Sequence, residues 1–433
     1  MNKKVIVVGG GLAGCEAAYR IAEAGFPVEL AEMKPVRFSP AHENENLAEL
    51  VCSNSLKAKR LGSAAGLLKA EMLRLGSVTV EAALQTKVPA GGALAVDREK
   101  FAALVTTKIN SHPNITVTRR EVTEIPDADA VVIAAGPLVS DALGEKISAL
   151  TGGFLNFYDA AAPIVTVDSI DMDAAFVKSR YDRGGDDYIN CPLNKEEYER
   201  FHAALVSAET AELHSFDKRK KVYEGCMPIE IMAARGADTV RFGPMKPVGL
   251  RDPRTGHRPW AVLQLRKENE SATMYNLVGF QTNLKFGEQK RVFSMIPALK
   301  DAEFVRYGVM HRNSFIHAPT LLKKNYSLIQ KENLFFAGQI TGVEGYMESA
   351  GAGILAGINA ARYLRGEPPF VLPEITMLGA LTAYITDGAI KDFQPMGASF
   401  GLLPPLEEKI RDKKQRYEAL AARSMAFFDT LKI

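Results

Sequence analysis

An α/β fold, Rossmann-like and interrupted by an inserted α+β unit, is predicted for this chain from three observations. A short apolar run closes on a glycine-rich loop at its start. The texture changes between about residues 158 and 317. A strand-like run, a polar loop and a small-residue helix then appear between residues 333 and 364.

The opening stretch reads VIVVGGGLAGCEAAYRIAEAGFPVELAEM. Val5 to Val8 has the β-branched composition of a strand covered on both faces. The glycine loop Gly9, Gly10, Gly11, Leu12, Ala13, Gly14 follows at once, then a helix-like run to Ala24, a stop at Gly25 and a second strand from Pro27 to Ala31. Gly9 permits a tight turn, Gly11 lets backbone N–H groups approach a pyrophosphate, and Gly14 lets helix and strand pack closely. The helix N-terminus adds partial positive charge where phosphates would sit. Glu32, ending the second strand, is placed to accept hydrogen bonds from an adenosine ribose. A dinucleotide site is predicted here, and the motif by itself does not choose between NAD and FAD.

Downstream, Lys34 to Arg60 is a proline-rich loop in which Asn46 to Val51 is expected to form a helical turn presenting Cys52. Gly66 to Leu75 has helical spacing, Val88 to Val96 is a glycine-interrupted apolar segment, and Asp97 is a helix N-cap. Val117 to Ile125 and Ala130 to Ala135 read as strands. The segment 158–317 lacks a phosphate loop and alternates helices, charged loops and strands such as Ala261 to Leu265, as an inserted domain would. Leu334 to Ala337 is a buried strand, followed by Gly338, Gln339, Gly342, Gly345 and Tyr346, then a helix rich in glycine and alanine. Such a return suits FAD, whose ribityl chain and flavin need a second set of backbone donors. The division expected is therefore 1–157 for the first part of a two-dinucleotide-type FAD-binding domain, 158–317 for a substrate- and RNA-binding insert, and 318–433 for the return. Leu406 to Leu431 carries apolar residues at helical spacing and closes the chain.

Bulk composition bounds the function. The 433 residues carry a net charge of +2, so any surface for a polyanion must be local. The four cysteines have neither CxxC pairing nor metal-ligand spacing, which points to reduced thiols, a cytoplasmic location and no metal centre. No run reaches the roughly 18 apolar residues of a membrane helix.

Cys52 lies among Ser, Asn and basic residues, and Cys226 lies in a YEGCMPIE turn. Each is either a reactive thiol or an ordinary small residue, and local sequence leaves both readings open. Cys15 and Cys191 read as structural. Basic residues cluster at Lys57, Lys59 and Arg60, at Lys218 to Lys221, at Arg251, Arg254 and Arg258, and at Lys285, Lys290 and Arg291. These are solvated surface or parts of a polyanion-binding face. His311, Arg312 and Asn313 offer a flat ring, a fork of donors and an amide, able to stack on a heteroaromatic ligand or to serve structurally.

Taken together, GGGLAGCEAA, PAHENENLAELVCSNSLKA, PAGGALAVDRE, EGCMPIE, FGPMKPVGLRDPRTG, RYGVMHRNSFI and FFAGQITGVEGYMESA resemble the folate- and FAD-dependent tRNA (uracil-5-)-methyltransferase family. The resemblance runs from residue 5 to about residue 405. It implies an enzyme that makes 5-methyluridine in the T loop of tRNA, with methylenetetrahydrofolate as carbon donor and FAD reduced by NADH or NADPH. Cys52 and Cys226 match the family's two functional cysteines, and His311 falls where a histidine covers the folate pterin. Asn283, Phe286 and Gly397 stand where His, Trp and Asn are expected, which leaves room for a ribosomal RNA uridine as substrate. Two other classes compete with this reading. A flavin oxidoreductase acting on a small molecule explains the glycine loop but not the cysteine loops. A non-catalytic flavin-containing RNA-binding protein makes both cysteines incidental.

Overall fold

In the computed structural model, which describes residues 3–182, 185–211 and 227–431, the strand Val5–Val8 lies inside a six-stranded sheet with every residue buried. Its neighbours are Val28–Glu32 on one side and Ala130–Ile133 on the other, both parallel to it. Ile115–Arg119 extends the sheet beyond the former, and Lys331–Phe336 beyond the latter, again in parallel. A short edge strand, Ser327–Leu328, pairs antiparallel and closes one side. The chain thus returns after some two hundred residues to place Leu334, Phe335 and Phe336 against Val131, Val132 and Ile133.

Glycines set how closely the layers approach. Gly9 has φ +103°, and a Cβ on Gly14 would overlap the Gly9 carbonyl oxygen, so the first helix, Leu12–Glu23, starts hard against the turn. That helix packs along the return helix Tyr346–Arg365. A Cβ on Gly353 would overlap the backbone of Ala13, and one on Gly357 would lie 2.6 Å from the Ala17 carbonyl oxygen. Two distant helices therefore touch backbone to backbone because neither presents a side chain there.

A second six-stranded sheet, antiparallel throughout, runs Phe176–Val177, Tyr188–Leu193, Ala261–Lys267, Met274–Leu277, Ile164–Thr166, Phe304–Arg306. It has its own core, in which Phe201, Phe280 and Phe293 are fully buried. The chain enters and leaves this unit through a two-stranded ribbon, Leu155–Ala160 paired with Met310–Phe315.

Three expectations need correction. Asn46 to Val51 forms no helical turn; it is a loop with Ala48 at φ +52°, pinned by the buried side chains of Leu47 and Leu50 and by Ala48 N–H donating to the Gly10 carbonyl. The strand expected to Ile125 stops at Arg119, where its pairing with Val28–Glu32 runs out. The last helix is Lys413–Thr430, since Asp412 caps it by accepting from Gln415 N–H, and the residues from Pro404 to Arg411 stay outside it. The other cap, Asp97, does accept from Lys100 N–H and starts the helix Arg98–Asn110.

Candidate functional site

The carboxyl ends of the parallel strands open onto one cleft with about 1090 Å³ of free space, part of it continuous with solvent. Gly9 to Ala13, Glu32, the turn Ala134 to Pro137, Gly338, Gln339, Tyr346 and Ser349 line it. Leu12–Glu23 and Tyr346–Arg365 both begin at its wall, so two helix N-termini bring unpaired N–H groups and partial positive charge to one cavity. A Cβ on Gly11 would meet no protein atom within 4 Å, so nothing in the protein itself demands a glycine there. The space beside it is open to a ligand that approaches the backbone closely.

Glu32 is 6 % exposed and joins the two halves of this wall. Its carboxylate accepts from Gly10 N–H at 2.6 Å and from Lys34 N–H at 2.9 Å, which leaves further lone pairs for hydroxyl donors. Gly14 packs below the loop rather than lining the cleft. Gly342 and Gly345 also stand off the cleft: Cβ positions there are taken by the Phe393 ring and the Glu348 carboxylate. Gln339 lines the cleft and donates to Glu344 at 2.6 Å. These residues and backbone groups fit an FAD molecule.

Cys52 sits at the edge of this cleft, between Val51, which lines it, and a loop the insert holds. The Tyr346 hydroxyl donates to Cys52 Sγ at 3.2 Å and accepts from Cys52 N–H at 2.8 Å. Burial first, then the neighbouring Cys52, pushes the Tyr346 phenol well above its ordinary pKa, so it remains a donor. From the insert, Arg266 donates to Ser53 Oγ and to Asn54 Oδ1, each at 3.0 Å. Asn54, fully buried, donates in turn to the Val96 and Lys267 carbonyls. Arg306 grips the Val51 carbonyl at 2.7 Å, and Arg98 grips that of Leu50 at 2.9 Å while pairing with Glu268. Burial draws the Arg266 guanidinium below its usual value, with Glu268 opposing; guanidinium nevertheless stays charged in proteins. The cysteine loop is thus a junction of cleft, return helix and insert.

Asn54, Arg98, Arg266 and Arg306 were not visible as site residues in the sequence, because each looks like any polar residue until the insert strand is docked. His42 is another. It lines the cleft, shares a 2.6 Å hydrogen bond with Ser39 Oγ, and is held below its ordinary pKa by burial and by Lys34, so its ring is neutral near pH 7. The remaining sequence candidates scatter. Lys57 pairs with buried Glu348 at 2.8 Å, Lys285 with Glu209 at 2.6 Å, and Arg60 is exposed. Asn313 is buried on the ribbon. His311 and Arg312 share that strand, opposite Asp159 and Tyr158, and their side chains lie outside the described residues. Cys226 and Lys218 to Lys221 also lie outside them. Cys15 and Cys191 are fully buried, with thiols pushed far up by desolvation, in keeping with structural roles. Of the departures from the family pattern, Asn283 is buried and tied to Glu230 and Ala211, whereas Phe286 is exposed and stacks on Tyr307 with ring centroids 4.8 Å apart.

Comparison with known proteins adds a frame. Residues 4–368 match the family described as Glucose inhibited division protein A. The chain is 58% identical over 427 residues to a methylenetetrahydrofolate--tRNA-(uracil-5-)-methyltransferase TrmFO of Enterococcus faecalis, covering 98% of each chain. It is 58% identical over 430 residues to the protein of the same name from Geobacter sulfurreducens, covering 99% of each. Among solved structures, GidA of Aquifex aeolicus superposes with a TM-score of 0.72 at 18% identity, covering 99% of this chain and 73% of that one, a likeness of fold. Among the described residues no helix is long and apolar enough to cross a membrane.

Proposed function

Because the chain belongs to the folate- and FAD-dependent tRNA (uracil-5-)-methyltransferase branch of the GidA family, we propose that it methylates C5 of a uridine in the T loop of tRNA. Methylenetetrahydrofolate would give the carbon, and NADH or NADPH the electrons. The observation that carries this reading is a thiol, Cys52, hydrogen-bonded to Tyr346 at the edge of a cleft fitted for FAD. A plain flavin oxidoreductase has no use for a cysteine loop tied down by three arginines.

Bound FAD would supply the redox and one-carbon transfer chemistry beside the pyrimidine. What the chain itself must do is activate the base. Uracil C5 is a poor nucleophile until a thiolate adds at C6. The new S–C6 bond displaces the C5–C6 π pair towards O4, leaving an enolate whose C5 can attack an electrophilic carbon. We assign that addition to Cys226. Cys52 then takes the proton from C5, and the electron pair so released frees the one-carbon unit from its carrier as a methylene group on C5. Once a hydride, which bound reduced FAD would supply, turns this into a methyl group, the enolate that results expels the Cys226 sulfur from C6; the two cysteine assignments are open to exchange. Tyr346 orients the Cys52 sulfur, and the grip of Arg266 and Arg306 on the flanking residues keeps it in place. The target base must be turned out of its loop to reach this point, with His311, Arg312, Asn313, Lys57, Arg60 and Lys285 assigned to folate and RNA.

The test is transfer of label. Purified protein is given NADH or NADPH, methylenetetrahydrofolate labelled in its one-carbon unit, and tRNA or ribosomal RNA transcripts in separate reactions. Label in tRNA is expected. Label confined to ribosomal RNA would replace the substrate, and nicotinamide oxidation without label in either RNA would end the methyltransferase reading.

A further inference from the structure

Away from the cleft, the insert carries an aromatic and basic surface that the chemistry above does not use. Phe242, ending the helical turn Thr239–Phe242, is 70 % exposed, the highest value among the large apolar side chains described. Beside it, the Arg241 guanidinium lies 5.2 Å from the Phe242 ring and 3.8 Å from the ring of Trp260, the one tryptophan of the chain. Arg241 Nε donates to the Trp260 carbonyl at 3.0 Å, which fixes the cation between the two rings. Lys195 Nζ approaches the same indole, 5.7 Å from its centroid. Lys246 and Arg258 are exposed nearby: Val262 N–H donates to the Met245 carbonyl, which lays residues 245 and 246 alongside the strand that Trp260 enters.

Charge points the same way. Between residues 235 and 260 the chain carries six Arg and Lys against two Asp, in a protein whose net charge is only +2. Of those two acids, Asp252 is taken up by Arg254, and Asp238 reaches Arg241 at 3.5 Å. The turn also packs on Ile229–Ala234, the helix that begins three residues after Cys226. Water gives no reason to keep a phenyl ring this exposed, and a preorganised cation beneath it is how proteins present a face to a nucleobase. A second copy of the chain is a poorer occupant, because a two-fold contact would set these like charges against one another.

We propose that Phe242, backed by Arg241, is a stacking platform for an unpaired base of the RNA substrate, with Lys246 and Arg258 holding the phosphates on either side. The inference rests on the reading of this protein as an RNA methyltransferase and adds a docking point distinct from the cysteine cleft. A stacking ring and a phosphate contact respond differently to salt. Stacking sets affinity at every salt concentration, whereas each single-strand phosphate contact contributes about 0.7 to the slope of log affinity against log salt.

The experiment is fluorescence anisotropy of a labelled, unmodified tRNA transcript with the flavin-loaded protein over a series of KCl concentrations. Phe242→Ala should weaken binding on the order of 10- to 100-fold with the salt slope unchanged, and Phe242→Trp should restore it. Arg258→Gln should lower the slope by about 0.7. Flavin absorbance reports folding, and Phe242→Leu, which keeps the bulk but loses the flat face, replaces the alanine variant should that one misfold. Wild-type affinity in the folded Phe242→Ala or Phe242→Leu protein overturns the proposal while leaving the methyltransferase reading intact. Failure of the unaltered protein to bind tRNA sinks the RNA reading and this inference with it. A Phe242 variant that changes only the sedimentation of the protein reassigns the surface to self-association and overturns the proposal as well.

Discussion

The glycine loop at residues 9–14 walls the cleft and the cysteine loop at residues 50–54 borders it at Val51, yet the two are built on opposite plans. The glycine loop offers backbone groups, and nearly everything that shapes it lies within thirty residues: a buried strand, a turn at positive φ, a helix N-terminus and Glu32. The cysteine loop offers a side chain, and what holds it comes from Arg98, Arg266, Arg306 and Tyr346, up to 294 residues away in sequence. A group that binds through backbone can be specified by local conformation. A thiol that must sit at one point beside a cofactor has to be clamped from several sides, and in this chain the clamp includes the insert.

Substitutions of the thiols and of the backbone contacts behind the glycine loop should therefore fail in different ways. The largest effect is expected for Cys226→Ala and Cys52→Ala: methyl transfer to tRNA falls by roughly 10²- to 10⁴-fold while flavin absorbance is retained. Normal turnover in either variant would place the reacting thiol elsewhere. In the other region, Gly353→Ala forces a methyl group into the Ala13 backbone, and overpacking of this kind costs about 1–3 kcal/mol. Thermal melting should drop and flavin should be lost with it, whereas an unchanged melting temperature would mean that the two helices can separate freely.

Arg266 tests the junction itself. Arg266→Met leaves Asn54 Oδ1 buried without its donor, a loss of about 1–3 kcal/mol, and frees Ser53 beside the thiol. Iodoacetamide should then alkylate Cys52 at a changed rate at fixed pH, with flavin content held and Arg266→Lys recovering part of the difference. Identical alkylation in all three proteins would show that the insert does not govern the thiol.

The smallest effect on methyl transfer is expected at Glu71, remote from both loops. This buried carboxylate accepts from Met377 N–H, Leu378 N–H and Ser424 Oγ, tying the last helix down, and desolvation raises its pKa to about 7 from 4.5. A folded-state value above the unfolded one means that the native protein holds the proton more tightly. Stability from this group is full below pH 4.5 and declines as pH rises towards 7, at up to about 1.4 kcal/mol per pH unit. Glu71→Gln should remove that slope from the melting curves between those limits, and parallel pH profiles for the two proteins would assign the slope to other groups.

The same contrast explains how much could be read in advance. The order strand, glycine loop, helix, strand and acid is enough to specify a dinucleotide cleft, because sterics and backbone hydrogen bonding act over a few residues. The return helix was legible too, since a run of glycine and alanine in a buried helix has only one use, close approach. Local reading failed where tertiary contacts decide conformation. Asn46 to Val51 has helical composition, but burying Leu47 and Leu50 while bonding Ala48 N–H to the Gly10 carbonyl outweighs a single isolated turn.

By itself, then, the sequence determined the α/β architecture and the glycine-loop cleft, and through family resemblance it nominated the two cysteines. Only the folded chain decided that Tyr346 faces Cys52, that Asn54 and Arg266 bind the insert to the thiol loop, and that Lys57 and Lys285 pair with carboxylates. The reason is physical. Periodicity and turn chemistry are short-range and survive in one dimension, whereas side-chain partnership depends on which surfaces meet after two separate sheets have packed.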